Sequence, residues 1–485
     1  MSRALFRNYQ TLLLKRTLLG EEDLALGLTK WRFRALAATL ERAERDSFHY
    51  RRHVRALAEA GSALLKEAEH LESAADGEEK LADILEGLPF TSPEELAENP
   101  THFLAVPHQE VEGLVTVSSG SQGPAKRVFS SRADLENVKS FFQYGMLNLC
   151  LAEADEPELD PLALFSLSSA EEKKLIAAKT SGQKVSLLMS GSRPGSVGAL
   201  LTEALARWSI PCETPGFLPA DPSEHDAFVQ KTSEARATSI VGLPSQLWHM
   251  ARSYPRPEGL RNVLLSGESA PKALVRAIEQ EWNVDVYVHF GLTEFGLGGA
   301  VECQARQGPH LRETDIVAEI LDENGSALPP GQIGDIVLTS LSREAMPLIR
   351  YRTGDEGMWL EEPCPCGCPF RRLAVIGRKK DKIVLPSGRS LTFYDLAEAM
   401  AGQAEVTGFS AAYASRPKPE LTIAAHLKKD AAVSAGNLRE AEEEAKMMKR
   451  LKTSLGDELP LRIILSTPTA GPAPAGAKPV LTRTD

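Results

Sequence analysis

From "LVTVS" at 114–118 to about residue 300, one pattern recurs and limits the fold more than any other feature of the chain. A short apolar run ends in a turn bearing glycine or proline, and a stretch with helical spacing follows. "KVSLLMSG" precedes "SVGALLTEALARW", "ATSIVGLP" precedes "SQLWHMARS", and "RNVLLSGESAP" precedes "KALVRAIEQEW", with "VDVYVHFG" next. Strand, turn and helix in alternation predict an α/β domain with a largely parallel sheet. In such sheets the loops beyond the strand C-termini carry the ligand site. Those loops are "SSGSQGPAK", "SGSRPGS", "GLPS", "SGESAP" and "HFGLTEFG", all small, polar or glycine-bearing, as close backbone approach to a ligand requires.

The flanks read differently. Residues 29–75 place apolar residues at helical spacing with Arg and Glu on the opposite face, which predicts two or three amphipathic helices. From about 312 to 376 turns interrupt apolar runs at short intervals, predicting a small antiparallel or barrel-like subdomain. A shorter α/β pattern follows, with strands near 407–413 and 420–427, a charged helix near 437–454 and a strand at "LRIILST". The Pro/Ala/Gly-rich end reads as a mobile tail. A chain of 485 residues exceeds one small core and suggests two or three domains.

A net charge of −11 argues against general nucleic-acid or anionic-membrane binding. The N-terminal apolar stretch is broken by Lys15 and Arg16, too early for a signal peptide or a bilayer span, so a cytoplasmic protein is expected. The six cysteines do not suggest a disulfide framework in such a chain.

Several constellations carry chemistry. "SSGSQGPAK" does not fit the Walker pattern, because Ala125 stands at its second glycine position. Its backbone amides, hydroxyls and Lys126 suit phosphate, and a plain turn between a strand and a helix suits it equally. Ser131 and Asp134 form a capping-box pattern that starts a helix just after it. In "HFGLTEFGLGG", Thr293 and Glu294 place a hydroxyl beside a carboxylate, suited to phosphate with magnesium, or the Glu is simply solvated. Asp355 in "IRYRTGDEG" suits ribose hydroxyls or ends a strand in a Gly-Asp turn. "GRKKDK" offers Arg378 to phosphate or ribose, or is a solvated charge cluster. "CPCGC" at 364–368, with Cys303 and His310 upstream, suits tetrahedral zinc of the structural kind, against ordinary buried thiols.

Taken in order, "SSGSQGPAK", "SGESAP", "FGLTEFG", "YRTGD", "GRKKDK" and a lysine near the C-terminus resemble the adenylate-forming (ANL) superfamily of acyl-CoA synthetases. "AERDSFHYRRHV", "LPFTSPEEL", "GAVECQARQGPHLRE", "REAMPLIRYRTGD" and "PCPCG" resemble its phenylacetate–CoA ligase-like branch. The resemblance runs from about residue 30 to the end. It implies an α/β fold: a large multi-subdomain N-terminal adenylating domain with a parallel sheet plus a β-rich subdomain, and a small mobile α/β C-terminal domain. The expected boundaries are 1–85 for an N-terminal helical region, 86–378 for the adenylation domain and 379–485 for the C-terminal domain.

It also implies two-step chemistry: a carboxylate attacks the α-phosphate of ATP, then a thiol, usually that of coenzyme A, attacks the acyl-adenylate. By that resemblance Ser118, Ser119, Gly120, Ser121, Gly123 and Lys126 would hold the β- and γ-phosphates. Ser266, Gly267, Glu268 and Ser269 would line the adenine, with Phe290 and Gly291 beside it. Thr293 would touch the α-phosphate, Glu294 would bind magnesium, Asp355 would take the ribose hydroxyls with Arg378 near, and Lys478 would serve adenylation. Cys303, His310, Cys364 and Cys366 would be zinc ligands, with Cys368 an extra thiol. A homodimer would suit the branch. The chain departs from the family pattern at Gln122, where a hydroxyl is usual; at Lys380, where the hinge residue is usually acidic; and at Ala477, which interrupts a Gly-Lys pair.

Three functional readings follow. The chain activates an organic acid, an aromatic one among the options, as its coenzyme A thioester; or it passes the acyl group to a carrier-protein thiol or an amine; or it is a weakened homologue that binds or regulates. Phe141, Phe142 and Tyr144 point either to an aromatic acid pocket or to core.

Overall fold

A computed structural model of the chain describes residues 8–16, 23–117, 126–151, 164, 167–191, 193–385, 388–415, 419–428, 437–456, 460–466 and 481–484. Its contacts group the chain into two compact units interleaved in sequence. Met1–Gly182, Gly191–Pro211 and Val288–Val375 form the first; Gln183–Ser190, Cys212–Tyr287 and Ile376–Asp485 form the second.

The first unit opens with α1 (Leu24–Asp46), α2 (Val54–His70) and α3 (Ala74–Glu86). Asp23 accepts from the amides of Ala25 and Leu26, and Ser73 from that of Asp76, so the free donors at two helix starts are met by short polar side chains. Phe33, Leu36, Leu40, Leu57, Leu64, Leu81 and Leu85 form the buried stripe. After α4 (Pro93–Glu98) come β1 (Val111–Val117) and β2 (Lys126–Ser131), paired antiparallel with Val117 opposite Lys126. This corrects the expected strand–turn–helix connection at "SSGSQGPAK": the segment joins the two strands of a hairpin. A short return of this kind reverses the strand directly, whereas a parallel partner needs a crossover of a dozen residues or more. Helix α5 (Arg132–Cys150) follows β2, and Ser131 and Asp134 form the expected capping box at its start. α6 (Ser169–Lys179) completes this stretch.

The predicted alternation then appears: β3 (Val185–Leu188), α7 (Val197–Arg207, in the first unit), β4 (Cys212–Glu213), α8 (His225–Glu234), β5 (Ser239–Gly242), α9 (Pro244–Ser253), β6 (Asn262–Leu265), α10 (Lys272–Trp282) and β7 (Asp285–Phe290). In the second unit β4, β3, β5 and β6 are parallel in that spatial order. The chain leaves β3 to one side for β4 and returns on the other side for β5. That reversal is the point at which α/β sheets open a crevice for ligand. Ile240, Val263, Leu265, Trp248, Ile278 and Trp282 pack around these strands.

Strand β7 begins in the second unit and ends in the first, where Phe290 and His289 pair antiparallel with Ala300 and Val301 of β8 (Ala300–Val301). β9 (His310–Leu311) pairs with β8. An antiparallel sheet follows, as predicted for the β-rich stretch, with β10 (Ile316–Leu321), β11 (Gly334–Ser340), β12 (Tyr351–Trp359) and β13 (Leu373–Arg378) in spatial order.

In the second unit, β14 (Ile383–Val384) and β15 (Ser390–Leu391) precede α11 (Phe393–Ala401), β16 (Val406–Ala414), β17 (Glu420–Leu427), α12 (Asn437–Leu455), β18 (Leu461–Ser466) and β19 (Leu481–Thr484). The last sheet runs β18-β17-β16-β19. Residues 481–484 of the expected mobile tail pair parallel with β16, Leu481 opposite Ala411. Leu396, Met400, Ile423 and Leu451 share one apolar cluster with the parallel strands, and Glu398 accepts from the amide of Ala273 at the start of α10.

Candidate active site

The loop after β7 is built around glycine. A Cβ at Gly291 would lie 1.9 Å from the carbonyl oxygen of Leu297. Gly296 has φ +75°, and a Cβ there would lie 2.7 Å from Val138 Cγ2. The amide of Leu297 closes the loop onto Leu292 O at 2.8 Å. This tight path carries a single turn, Thr293–Phe295, that buries Glu294 and leaves Thr293 partly exposed.

Glu294 is met by two donors. Lys126 Nζ, on the first residue of β2, lies 2.8 Å from Glu294 Oε1, and the Tyr351 hydroxyl donates to the same oxygen at 2.9 Å. Lys126 Nζ also lies 2.9 Å from Tyr351 Oη, which closes a triangle. The Lys126 and Glu294 side chains are only 12% and 8% exposed, so solvent screens the pair little. Burial pushes the Glu294 carboxyl up, but the charge and hydrogen bonds of Lys126, with the Tyr351 hydroxyl, outweigh it and hold Glu294 below the usual carboxylate range. Two residues assigned to one site on sequence grounds thus touch. Tyr351 was missed, although it opens "YRTGD".

On β12 the register carries a bulge. Val337 faces Arg352 and Asp335 faces Glu356, so Thr353, Gly354 and Asp355 stand against Ile336 alone. Gly354 takes φ +76°, and the Thr353 hydroxyl donates to Ile336 O at 2.8 Å and accepts from the Asp355 amide at 3.0 Å. Bulges of this kind re-aim a side chain. Asp355 is buried.

Ser266, Gly267, Glu268, Ser269 and Arg378 lie in the second unit. The Glu268 carboxylate accepts from the amide and hydroxyl of Ser245, at 2.9 and 3.0 Å, and so caps the start of α9. A Cβ at Gly377 would come within 3.8 Å of Ser269 Oγ, which places the segment before Arg378 beside the "SGESAP" loop. Arg378 ends β13, and Lys380 sits in the single turn after it. Ser118, Ser119, Gly120, Ser121, Gln122, Gly123 and Lys478 lie outside the described residues.

The cysteine cluster assembles in the first unit. The ligand atoms of Cys303, His310, Cys364 and Cys366 all lie within 4.8 Å of one another. Cys303 Sγ and Cys364 Sγ are 3.6 Å apart, and Cys366 Sγ is 3.4 Å from His310 Nε2. A tetrahedral zinc with ordinary bond lengths spaces its ligands about 3.5–3.8 Å apart. His310 Nδ1 donates to Phe370 O at 2.7 Å, which leaves Nε2 facing the sulfurs as a ligand nitrogen. The amide of Cys368 lies 3.4 Å from Cys366 Sγ, a donor aimed at that sulfur. The hydrogen bond shared with Cys364 holds Cys303 well above the usual thiol range, and the same bond holds Cys364 low. A divalent cation would remove the need to share a proton. The residues fit zinc, with four donors and an apolar cover of Leu14, Leu28 and Phe370.

Phe141 and Phe142 are buried and pack on His289, with ring centroids 5.9 and 6.4 Å away, while Arg312 sits over Phe141 at 5.0 Å. Tyr144 meets the edge of Trp208 at 5.8 Å. Phe141 also fills the space over Gly298, where a Cβ would lie 2.3 Å from its ring. In this arrangement the aromatic residues of α5 serve packing. Burial, then the charge of Arg312, lowers His289 to about 4, so this imidazole is neutral at neutral pH.

Residues 214–342 match the AMP-binding enzyme family. A phenylacetate-coenzyme A ligase of Pseudomonas putida is 32% identical over 178 residues, which is 35% of this chain and 40% of that protein. One from Thermus thermophilus is 34% identical over 135 residues, 27% of this chain and 30% of that protein. The chain therefore spans less than half the length of these curated relatives. A solved 2-hydroxyisobutyryl-CoA ligase, in the postadenylation state with an adenylate, superposes with a TM-score of 0.72 at 18% identity, over 98% of this chain and 91% of that one. An anthranilate CoA ligase with anthranoyl-AMP superposes with a TM-score of 0.51 at 14% identity, over 76% and 66%. At such identities these likenesses establish a shared fold. Among the described residues, no helix is long and apolar enough to cross a membrane.

Proposed function

We propose that this chain, which belongs to the adenylate-forming superfamily and within it is phenylacetate–CoA ligase-like, is an AMP-forming ligase that activates an organic carboxylic acid with ATP and transfers it to coenzyme A. The observation that carries the reading is the buried pair of Lys126, on β2, and Glu294, in the loop beyond β7, joined by Tyr351 of β12. A buried, oppositely charged pair suits a substrate that brings both signs of charge.

In the first step a carboxylate oxygen attacks the α-phosphorus and the bond to the β-phosphate oxygen breaks, so pyrophosphate leaves. Two anions must meet at phosphorus, and the barrier falls mainly through positioning and charge. Lys126 would turn from Glu294 to the phosphates and carry positive charge there. Glu294, freed of the ammonium and already ionised, would hold magnesium, which would supply positive charge beside the substrate phosphates. Asp355, set by its bulge, would accept from the ribose hydroxyls. In the second step the coenzyme A thiol attacks the acyl carbon, its proton passes to solvent, and AMP leaves. Cys303, His310, Cys364 and Cys366 would hold a zinc whose role is structural, because four protein donors leave no open position.

Carboxylate-dependent exchange of pyrophosphate into ATP, run over a panel of acids, tests the first step. AMP release that requires coenzyme A tests the second. Exchange with an acid but no thioester would move the acceptor to another thiol or an amine. No exchange with any acid overturns the reading.

A further inference from the structure

We propose that Tyr351 is a positioning residue for Glu294: its phenol is the fixed partner that keeps the carboxylate in one orientation while Lys126, the movable partner, turns to the phosphates. This inference rests on the reading above for the roles of Lys126 and Glu294.

The two donors to Glu294 Oε1 are mounted differently. Lys126 has a four-carbon stem with several rotatable bonds and stands at the first residue of its strand. Tyr351 is fully buried, and its backbone is pinned from both sides. On one side Thr91, from "LPFTSPEEL", lies against β12 like an added strand residue. Its amide donates to Arg350 O and its carbonyl accepts from Arg352 N, both at 3.0 Å. The Thr91 hydroxyl donates to Ile349 O at 2.6 Å and sits 2.9 Å from Tyr50 Oη, which accepts from the Ile349 amide at 2.9 Å.

On the other side is Arg350, a non-glycine residue at φ +44°. That conformation is costly unless the surroundings enforce it. Here Arg350 Nη2 and Nε meet the Glu319 carboxylate at 2.9 and 3.2 Å, Nη1 donates to Leu88 O at 3.0 Å, and the guanidinium lies 4.1 Å from the Phe90 ring centre. Residues 349–352 are therefore over-determined, and the phenol of Tyr351 inherits the constraint. When Lys126 leaves, Glu294 keeps a donor that cannot follow it.

Tyr351→Phe removes the hydroxyl and keeps the ring. Hydrogen bonds to charged groups are worth about 1.5–3 kcal/mol, so pyrophosphate exchange is expected to slow at least tenfold, with KM for ATP moving less than twofold. The magnesium concentration for half-maximal exchange should rise. In a Glu294→Gln background the same change should have no further effect. Thr91→Val, which loosens the strand and leaves the hydroxyl in place, should act in the same direction more weakly, and it serves if Tyr351→Phe does not fold. Equal losses with and without Glu294 overturn the proposal, because a merely structural residue behaves that way. Denaturation midpoints of the two single variants and the double variant give a readout without activity: non-additive shifts support the contact and additive shifts overturn it. If the wild type exchanges with no acid, the functional reading fails, and these midpoints still decide the role of Tyr351.

Discussion

Lys126→Met keeps most of the side-chain volume and removes only the charge and its hydrogen bonds. At the observed 2.8 Å, a pair of unit charges in an effective dielectric near 20 attracts by roughly 6 kcal/mol before desolvation is counted. Measured losses on breaking buried pairs are about 3–5 kcal/mol, because the remaining charge stays buried. Glu294 retains Tyr351 and slight exposure, which places the expected loss near the lower end, about 3 kcal/mol. The pH dependence identifies the cause. In the wild type Glu294 is held below its ordinary range, so its contribution is present above the unfolded pKa of about 4.3 and lost as pH falls through the folded value. In the variant, burial acts unopposed and raises Glu294, so stability is full below the unfolded pKa and falls as pH rises through the raised folded value. The gap between the two proteins should therefore be small near pH 4 and reach its full size by about pH 8. Urea denaturation followed by circular dichroism at pH 5, 6.5 and 8 measures it. A gap that does not widen with pH would refute the claim that the ion pair, and not packing of the lysine stem, sustains the site.

Three other outcomes are expected. Elemental analysis of the purified chain should find about one zinc per chain, lost in Cys364→Ser and retained in Cys368→Ser, whose sulfur lies outside the four-donor set. Gly291→Ala would force a Cβ to within 1.9 Å of Leu297 O, so the loop must move; exchange should drop by about two orders of magnitude while far-ultraviolet circular dichroism is unchanged. Asp355→Ala should raise KM for ATP about tenfold or more, the worth of a hydrogen bond to a charged acceptor, and change the pyrophosphate KM little.

The alternation of strand and helix was legible because it is local: apolar period, turn residue and helix spacing fall within about 30 residues of one another. The capping box at Ser131 and Asp134 was legible for the same reason. The hairpin of β1 and β2 was not. "SSGSQGPAK" has the composition of a loop in either setting, and only the pairing of Val117 with Lys126 decides that the chain turns straight back. The strand at 481–484 was hidden in a Pro/Ala/Gly-rich end, since four residues carry too little period to stand out without β16 beside them. The four-donor Cys/His cluster was gathered by chemistry more than by spacing, because 61 residues separate Cys303 from Cys364.

Tyr351 shows why a donor to a buried carboxylate can sit inside a sequence motif and still go unread. Nothing about a tyrosine at the start of "YRTGD" distinguishes a core ring from a donor to a carboxylate. The distinction lies in contacts made across 57 residues to Glu294, 225 to Lys126 and 258 from Thr91 to Ile349. The last of these also gives "LPFTSPEEL" a physical reason to exist. Leu88 and Phe90 receive the Arg350 guanidinium, Thr91 pairs with the backbone of β12, and Ser92 and Glu95 cap the helix that turns the chain away. A segment that looks like a linker between helices and strands is thus the brace of the strand that carries Tyr351 and Asp355. Substitutions at Thr91, 258 residues in sequence from its partner Ile349, should therefore register in the chemistry of Glu294 before they register in the stability of the helices on either side.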